Sequence, residues 1–383
     1  MALDEGRALF GFADDAIYLD HGSFGVAPRE VLAVAAHWRA RVEAAPRAFF
    51  DLDCRPLWRE SAALVARRFG AQPQDLALVD NVTDGVNAVL RAQKLAPGDE
   101  ILTTSMTYGA VANAVRLIAA ETGARVAVAR LPFPAPDPEA CVAALAAAIG
   151  PRTRLAVLDH VTSATALVLP VAAMVAACRA RGVATLVDGA HAPGQVALDL
   201  EAIDADWYAA NLHKWHFVPR GCGFLWARRD RQAGLLPAIL SWDVDQPFPH
   251  SFEWTGTRDP APWLSIPAAF AFMDRLGAEA MRRHNHDLVL AGARRLAEGL
   301  GVRQDTPEGM TGAMTLVPLP PGPAFAPDEA TRAGIQQRLW EGHRIGCACM
   351  LFEGRLYLRV AGQVYNGMGD YEALAGAVGG MGG

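Results

Sequence analysis

From about residue 76 this chain of 383 residues alternates short apolar runs with longer Ala-, Leu- and Val-rich stretches of helical pattern, and that alternation limits its fold more than any other feature. LALVD (76–80) precedes a helix from Thr83 to about Lys94, and EILTTS (100–105) precedes one opening near Gly109. ARVAVARL (124–131) leads into PEACVAALAAAIG; RLAVLDHV (154–161), VAAMVAACRARG, VATLVDGAH (183–191) and DADWYAANL continue the rhythm. Strand, helix, strand repeated in this way predicts a mostly parallel sheet with helices on both faces. The expected architecture is α/β: an N-terminal segment over 1–20, a large domain over 21–255 and a smaller α+β domain over 256–383. The last of these begins with helical PAPWLSIPAAFAFMDRL and crosses a Pro-rich connection. It closes with a helix and a strand pair, GHRIGCACM and GRLYLRVAG. In open parallel sheets ligands sit beyond the carboxyl ends of the strands, so the residues there carry the functional reading.

Composition narrows the function classes. An apolar fraction of 52% with 20% charged residues is that of an ordinary soluble globular protein. A net charge of −6 and no Lys/Arg-rich run argue against a nucleic-acid partner. The apolar stretch Ala164–Ala177 contains Pro170 and falls short of the roughly 20 residues a membrane span requires. MALDEGRALFGF is acidic and reads as no signal peptide. Six cysteines without Cys-x-x-Cys spacing point to reduced thiols, a cytoplasmic location and no metal site.

Of the 35 Lys and Arg residues only Lys94 and Lys214 are lysines. Where a plain surface cation suffices this sequence writes arginine, so a lysine that persists is a candidate for amine chemistry. An amine can deprotonate and condense with an aldehyde, whereas a guanidinium stays charged. Lys94 lies at a polar helix end before a Pro-Gly turn. Lys214 lies in WYAANLHKWHFVPRGCGFLW, among aromatics, where the plain alternative is a snorkelling side chain.

VATLVDGAHAPG carries an apolar strand directly into Asp188, with His191 three residues on. A carboxylate at the end of a buried strand is costly unless it meets a cation or donors. It is either a turn residue or the counter-ion of a protonated heterocycle. Lys214 follows 26 residues later, room for a loop and one strand. With DGAHAPG and ADWYAANLHKWHFVPRGCGFLW in place, the chain resembles the class V, fold type I pyridoxal phosphate enzymes, most closely the isopenicillin-N-epimerase-like branch. That branch is related to cysteine desulfurases and kynureninases. YLDHGSFGVAP, DNVTDGVNAVL, TTSMTYGAV, LDHVTSATALVLPV, FEWTGTRDPAPWL and LRVAGQVYN extend the resemblance over nearly the whole chain.

The resemblance implies pyridoxal phosphate as cofactor, with Lys214 condensing with its aldehyde and later shuttling the substrate α-proton. Asp188 keeps the ring nitrogen protonated, and His191, otherwise a turn histidine, bonds the 3′ oxygen. Thr83, with the backbone of Val82 and Asp84, and His213 hold the phosphate; a helix N-terminus suits a dianion, although Thr83 alone would read as a simple cap. Thr257 is implied as a phosphate contact from a neighbouring subunit, hence a homodimer with shared sites. Tyr108 is implied to stack on the ring, the alternative being a core tyrosine. Thr162 and Ser163 are both candidates for contact with the 3′ oxygen or the substrate. Arg359, on an apolar strand, offers the planar fork that suits a substrate α-carboxylate. Where relatives often carry serine this chain has Ala361-Gly362, which leaves the finer substrate contacts open.

The implied activity starts with α-proton abstraction from an amino acid. Reprotonation on the opposite face is epimerisation, the reading closest to the resemblance. Transamination and carbon–sulfur lyase or desulfurase chemistry are the alternatives, and a non-catalytic binding protein is the alternative of another class. A desulfurase needs a thiolate, and Cys347 or Cys349 lies in the right region. RIGCACMLF, however, reads as an alternating strand with both thiols on one face, and small buried cysteines are the commoner case.

Overall fold

The computed structural model describes residues 3–382. Among the described residues twelve strands form three sheets. β1 (Ile17–Tyr18) is followed by the seven strands of the central sheet: β2 (Leu76–Val79), β3 (Glu100–Thr104), β4 (Arg125–Ala129), β5 (Thr153–Asp159), β6 (Ala184–Asp188), β7 (Trp207–Asn211) and β8 (Gly223–Ala227). Their order across the sheet is β2-β8-β7-β6-β5-β3-β4, with β8 antiparallel to both neighbours and every other pairing parallel. β2, β7 and β8 are buried along their whole length, as expected of strands covered on both faces. The edge strand β4 is largely exposed. The helices Val82–Ala92, Gly109–Thr122, Pro138–Ala148 and Val171–Arg179 alternate with the strands as the pattern predicted, each within a few residues of the expected span.

The C-terminal part contains β9 (Met314–Pro318), β10 (Ile345–Gly346), β11 (Ala348–Phe352) and β12 (Arg355–Ala361), with β11-β12-β9 forming an antiparallel sheet. Three features depart from the expectation. β9 falls in the Pro-rich connection, where no strand was expected. The chain closes with a helix, Met368–Gly379, rather than with the strand pair. RIGCACMLF is not one strand: it is divided into β10 and β11 at Cys347.

Packing also crosses the expected domain limits. β1 pairs with β10, and Leu19 is buried among Val289, Val317 and Leu358, so the N-terminal segment is built into the C-terminal unit. Trp263, Ile266 and Phe270, beyond residue 255, are buried in the core of the large unit. Amphipathic helices go where an apolar face can be covered, and the helix Ile266–Leu276 finds that cover on the large unit.

Candidate active site

The carboxyl ends of β5, β6 and β7 deliver Asp159, Asp188 and Asn211, followed at once by His213 and Lys214, to one cavity of about 270 Å³. Its wall also includes Ser23, Val82, Thr83, Tyr108, Ser163, His191 and Arg220. Glycine next to Asp188 is required sterically: a Cβ on Gly189 would stand 2.2 Å from the Tyr208 ring.

Lys214 is half-buried in the cavity wall, and its Nζ lies 3.0 Å from His191 Nε2. Trp215 Nε1–H points at His191 Nδ1 from 3.5 Å, which places the proton of a neutral imidazole on Nε2, aimed at the amine. Burial, reinforced by the Arg359 charge, pushes the Lys214 ammonium down to about 7. Burial, followed by the Lys214 charge, likewise holds His191 well below the usual imidazole range. The pair is therefore a neutral imidazole beside an amine that loses its proton near pH 7.

The backbone of Lys214 is clamped from the other end of the sequence. Its carbonyl accepts from His21 Nε2 at 2.9 Å, so His21 Nδ1 accepts from the Tyr365 hydroxyl at 2.8 Å. Gly25, at φ +63°, packs so closely that a Cβ there would stand 2.0 Å from the His213 carbonyl oxygen. Only glycine combines that left-handed backbone with that approach.

Two carboxyls face the cavity on adjacent strands, in register with each other. Asp188 Oδ1 accepts the Ala190 N–H at 2.9 Å; burial raises its carboxyl, against the pull of that N–H and of Lys214. Asp159 is raised well above the carboxylate range by burial and then by the Asp188 charge. Asp159 Oδ2 is buried without a hydrogen-bond partner. A cation entering between these carboxyls relieves both.

At the opposite end the helix Val82–Ala92 opens toward the cavity. Asn81 caps it, accepting from the Asp84 N–H at 3.1 Å, while the Val82 N–H is held by Asn211 Oδ1 at 2.9 Å. The backbone donors of Val82 and Asp84 thus already have partners, and Asp84 is not part of the cavity wall; Thr83 is. His213 donates from Nδ1 to the Cys222 carbonyl at 2.8 Å, and burial lowers it to about 4.

The remaining candidates fall unevenly. Tyr108 precedes a helix at the cavity mouth and is 45% exposed, so it is no core tyrosine. Ser163 lines the cavity, whereas the Thr162 hydroxyl is turned into its own loop, bonded to Thr165 Oγ1 at 2.7 Å and the Leu167 N–H at 2.8 Å. Thr257 is exposed and apart from this cavity within one chain. Arg359 lies behind the wall that Ser23 and Ser163 form, donating to both. Cys347 and Cys349 share one apolar cluster, away from the cavity, and burial pushes the first well up and the second to about 12.

Sequence reasoning passed over Asp159, Arg220, Asn211 and Asp20. Asp159 ends an apolar strand as Asp188 does, so the same desolvation argument pointed to it. Arg220 was hidden among many arginines, although it is the cation of the loop that follows Lys214.

Comparison with known proteins places this geometry. The aminotransferase class-V family model matches residues 17–317. Isopenicillin N epimerase of Amycolatopsis lactamdurans is 36% identical, over 94% of this chain and 94% of that protein. A putative L-cysteine desulfhydrase 2 of Oryza sativa subsp. japonica is 34% identical, over 98% and 86%. Among solved structures, the cystine C-S lyase C-DES in complex with cysteine persulfide superposes with a TM-score of 0.80 over 95% of this chain and 97% of that one, at 23% identity. The chain belongs to the class V aminotransferase family. It is a pyridoxal phosphate enzyme of fold type I, with a mostly parallel sheet flanked by helices.

Proposed function

We propose that Lys214 holds pyridoxal phosphate and that the enzyme acts on an amino acid by removing its α-proton, with epimerisation as the leading outcome. The observation that carries this reading is the Lys214 amine, lowered to about 7, beside neutral His191 in the cavity that Asp188 also lines. The cavity fits the cofactor: a carboxyl pair lacking a cation, a helix N-terminus with Thr83, and an aromatic ring at the mouth.

When bound, pyridoxal phosphate supplies an aldehyde for the amine and a ring that takes up the electron pair left at the α-carbon. Lys214 Nζ, which titrates near pH 7, takes the α-proton and returns it. Asp188 stabilises a positive ring nitrogen, which restores its own carboxylate. His191, whose Nε2–H is aimed into the cavity, would donate to the cofactor's 3′ oxygen and so leave the Nζ lone pair free for the α-proton. Tyr108, at the cavity mouth, would stack on the ring, worth on the order of 1 kcal/mol beyond burial. Thr83 and His213, both in the cavity wall, would hold the phosphate. Arg359 is the guanidinium that would receive the substrate carboxylate, from behind the wall that Ser23 and Ser163 form.

Similarity to an isopenicillin N epimerase over nearly the full length supports epimerisation, and the desulfhydrase relatives support β-elimination as the second reading. The burial of both C-terminal thiols favours neither persulfide chemistry nor a cysteine nucleophile. The functional unit is a homodimer in which Thr257 of one subunit completes the phosphate site of the other. Exposed Ile239, Leu240 and Trp242, a short way before Thr257, support a covered face. No helix among the described residues is long and apolar enough to cross a membrane.

The test is a panel of amino acids in deuterated water. A substrate exchanges its α-hydrogen; inversion marks the epimerase, a keto acid the transaminase, and sulfide the lyase. If no amino acid exchanges while the cofactor stays bound, the reading fails.

A further inference from the structure

The guanidinium read as the substrate's carboxylate fork is already occupied by a carboxylate of its own chain. Arg359 Nη2 donates to Asp20 Oδ1 at 3.0 Å and to Ser23 Oγ at 2.6 Å, which uses both hydrogens on that nitrogen. Nη1 donates to the Ser163 carbonyl at 2.6 Å and lies 3.4 Å from Ser163 Oγ. The Ser23 hydroxyl, accepting from Arg359, donates its own hydrogen to Asp20 Oδ1 at 2.7 Å. Arginine, aspartate and serine thus close a three-membered ring behind the cavity wall. The ion pair is buried, with side-chain exposures of 4% and 12%.

A buried, paired guanidinium presents no net charge to an incoming anion. Ser23 faces the cavity and can yield its place on Nη2, but Asp20 would then share that nitrogen with the substrate. Two carboxylates beside one guanidinium repel each other, and with little water between them the repulsion is weakly screened. Arg220 in the cavity wall, anchored to the Gly25 carbonyl at 3.2 Å, supplies the remaining cation on that side.

We propose that Asp20 is a specificity-determining residue of the carboxylate subsite: it competes with the substrate's carboxylate for Arg359 and sets how weakly simple monocarboxylates bind. The inference rests on the reading of Arg359 as the carboxylate-binding residue. It predicts that deleting the Asp20 charge tightens carboxylate binding, the reverse of what loss of an ordinary supporting residue does. Ser23 acts in the same sense but more weakly, because it is displaced rather than opposed.

The test titrates the holoenzyme with acetate, and with ethylamine as a ligand lacking the carboxylate, by calorimetry and by cofactor absorbance. Asp20→Asn, which preserves shape, should tighten acetate at least about tenfold, and Ser23→Ala about threefold, with ethylamine unchanged in both. The Asp20→Asn/Arg359→Met double variant, in which neither buried charge is stranded, should lose acetate binding. If Asp20→Asn leaves acetate affinity unchanged or weaker while the double variant loses it, competition is refuted and the Arg359 reading stands. If the double variant binds acetate like the wild type, the Arg359 reading itself is refuted. Should Asp20→Asn fail to fold, Ser23→Ala decides: no gain for acetate overturns the proposal.

Discussion

Lys214 and Arg359 are both basic side chains at one site, and the protein handles them in opposite ways. Lys214 has a neutral imidazole as its nearest polar partner, and burial strips its proton near pH 7. Arg359 cannot give up its charge, so the fold seats Asp20 against it. Burial therefore yields a nucleophile where the side chain can deprotonate and an ion pair where it cannot. The near absence of lysine elsewhere takes on meaning in that light, since an arginine at 214 would require a counter-ion and offer no amine.

The largest test removes the amine. Lys214→Ala should lower turnover by about 10³-fold or more, the scale of a deleted general base with an added loss of covalent attachment. Borohydride should fix the cofactor on the wild-type peptide carrying Lys214 and on no peptide of the variant. Asp188→Asn keeps the cofactor but should lower kcat about 10²-fold, more than it alters substrate affinity, because an amide cannot hold a protonated ring nitrogen. Activity equal to wild type would make Asp188 a mere turn residue. Arg359→Lys should lower kcat/KM by about tenfold to a hundredfold, since an ammonium lacks the planar fork that meets Asp20 and Ser163 together.

The protonation contrast gives a fourth test, on the cofactor-free protein. Only the free amine captures an aldehyde, so capture of pyridoxal phosphate should accelerate through about pH 7, not near 10.5. The folded-state value is lowered, so the unfolded chain binds the extra proton between about 7 and 10.5, and stability rises with pH across that window. Lys214→Met should remove the rise, and denaturant melts at several pH values would register it as a few kcal/mol. A capture rate still climbing at pH 10 would mean an ordinary, solvated lysine. The smallest effect belongs to Thr257→Val, expected to weaken cofactor retention a few-fold in dialysis.

How much of this could be read in advance follows from where each contact sits in the chain. Asp188, His191 and Lys214 share one stretch, and the strands carrying them are apolar runs because both sheet faces are covered. The ring around Arg359 draws on residues 20–23, 163 and 359, and no local pattern joins such distant positions. β9 was lost among prolines that end it and follow it, since proline normally argues against a strand. The break at Cys347 was lost because alternation continues on both sides of it while the hydrogen-bond partner changes from β1 to β12. Thr162 and Ser163 were indistinguishable by type; the turn that spends the Thr162 hydroxyl on Leu167 separates them.

The bond from His21 to Tyr365 joins residues 344 positions apart, and it bears on the carbonyl of Lys214. Contacts of such sequence separation form late, because the intervening chain must first be brought to order. A nascent chain whose central sheet, residues 76–227, has already emerged still lacks Arg359 and the Tyr365 anchor until those later residues are made. The lysine is therefore made well before the residue that anchors it, so the fixed geometry of a reactive amine waits until the chain has been made as far as Tyr365.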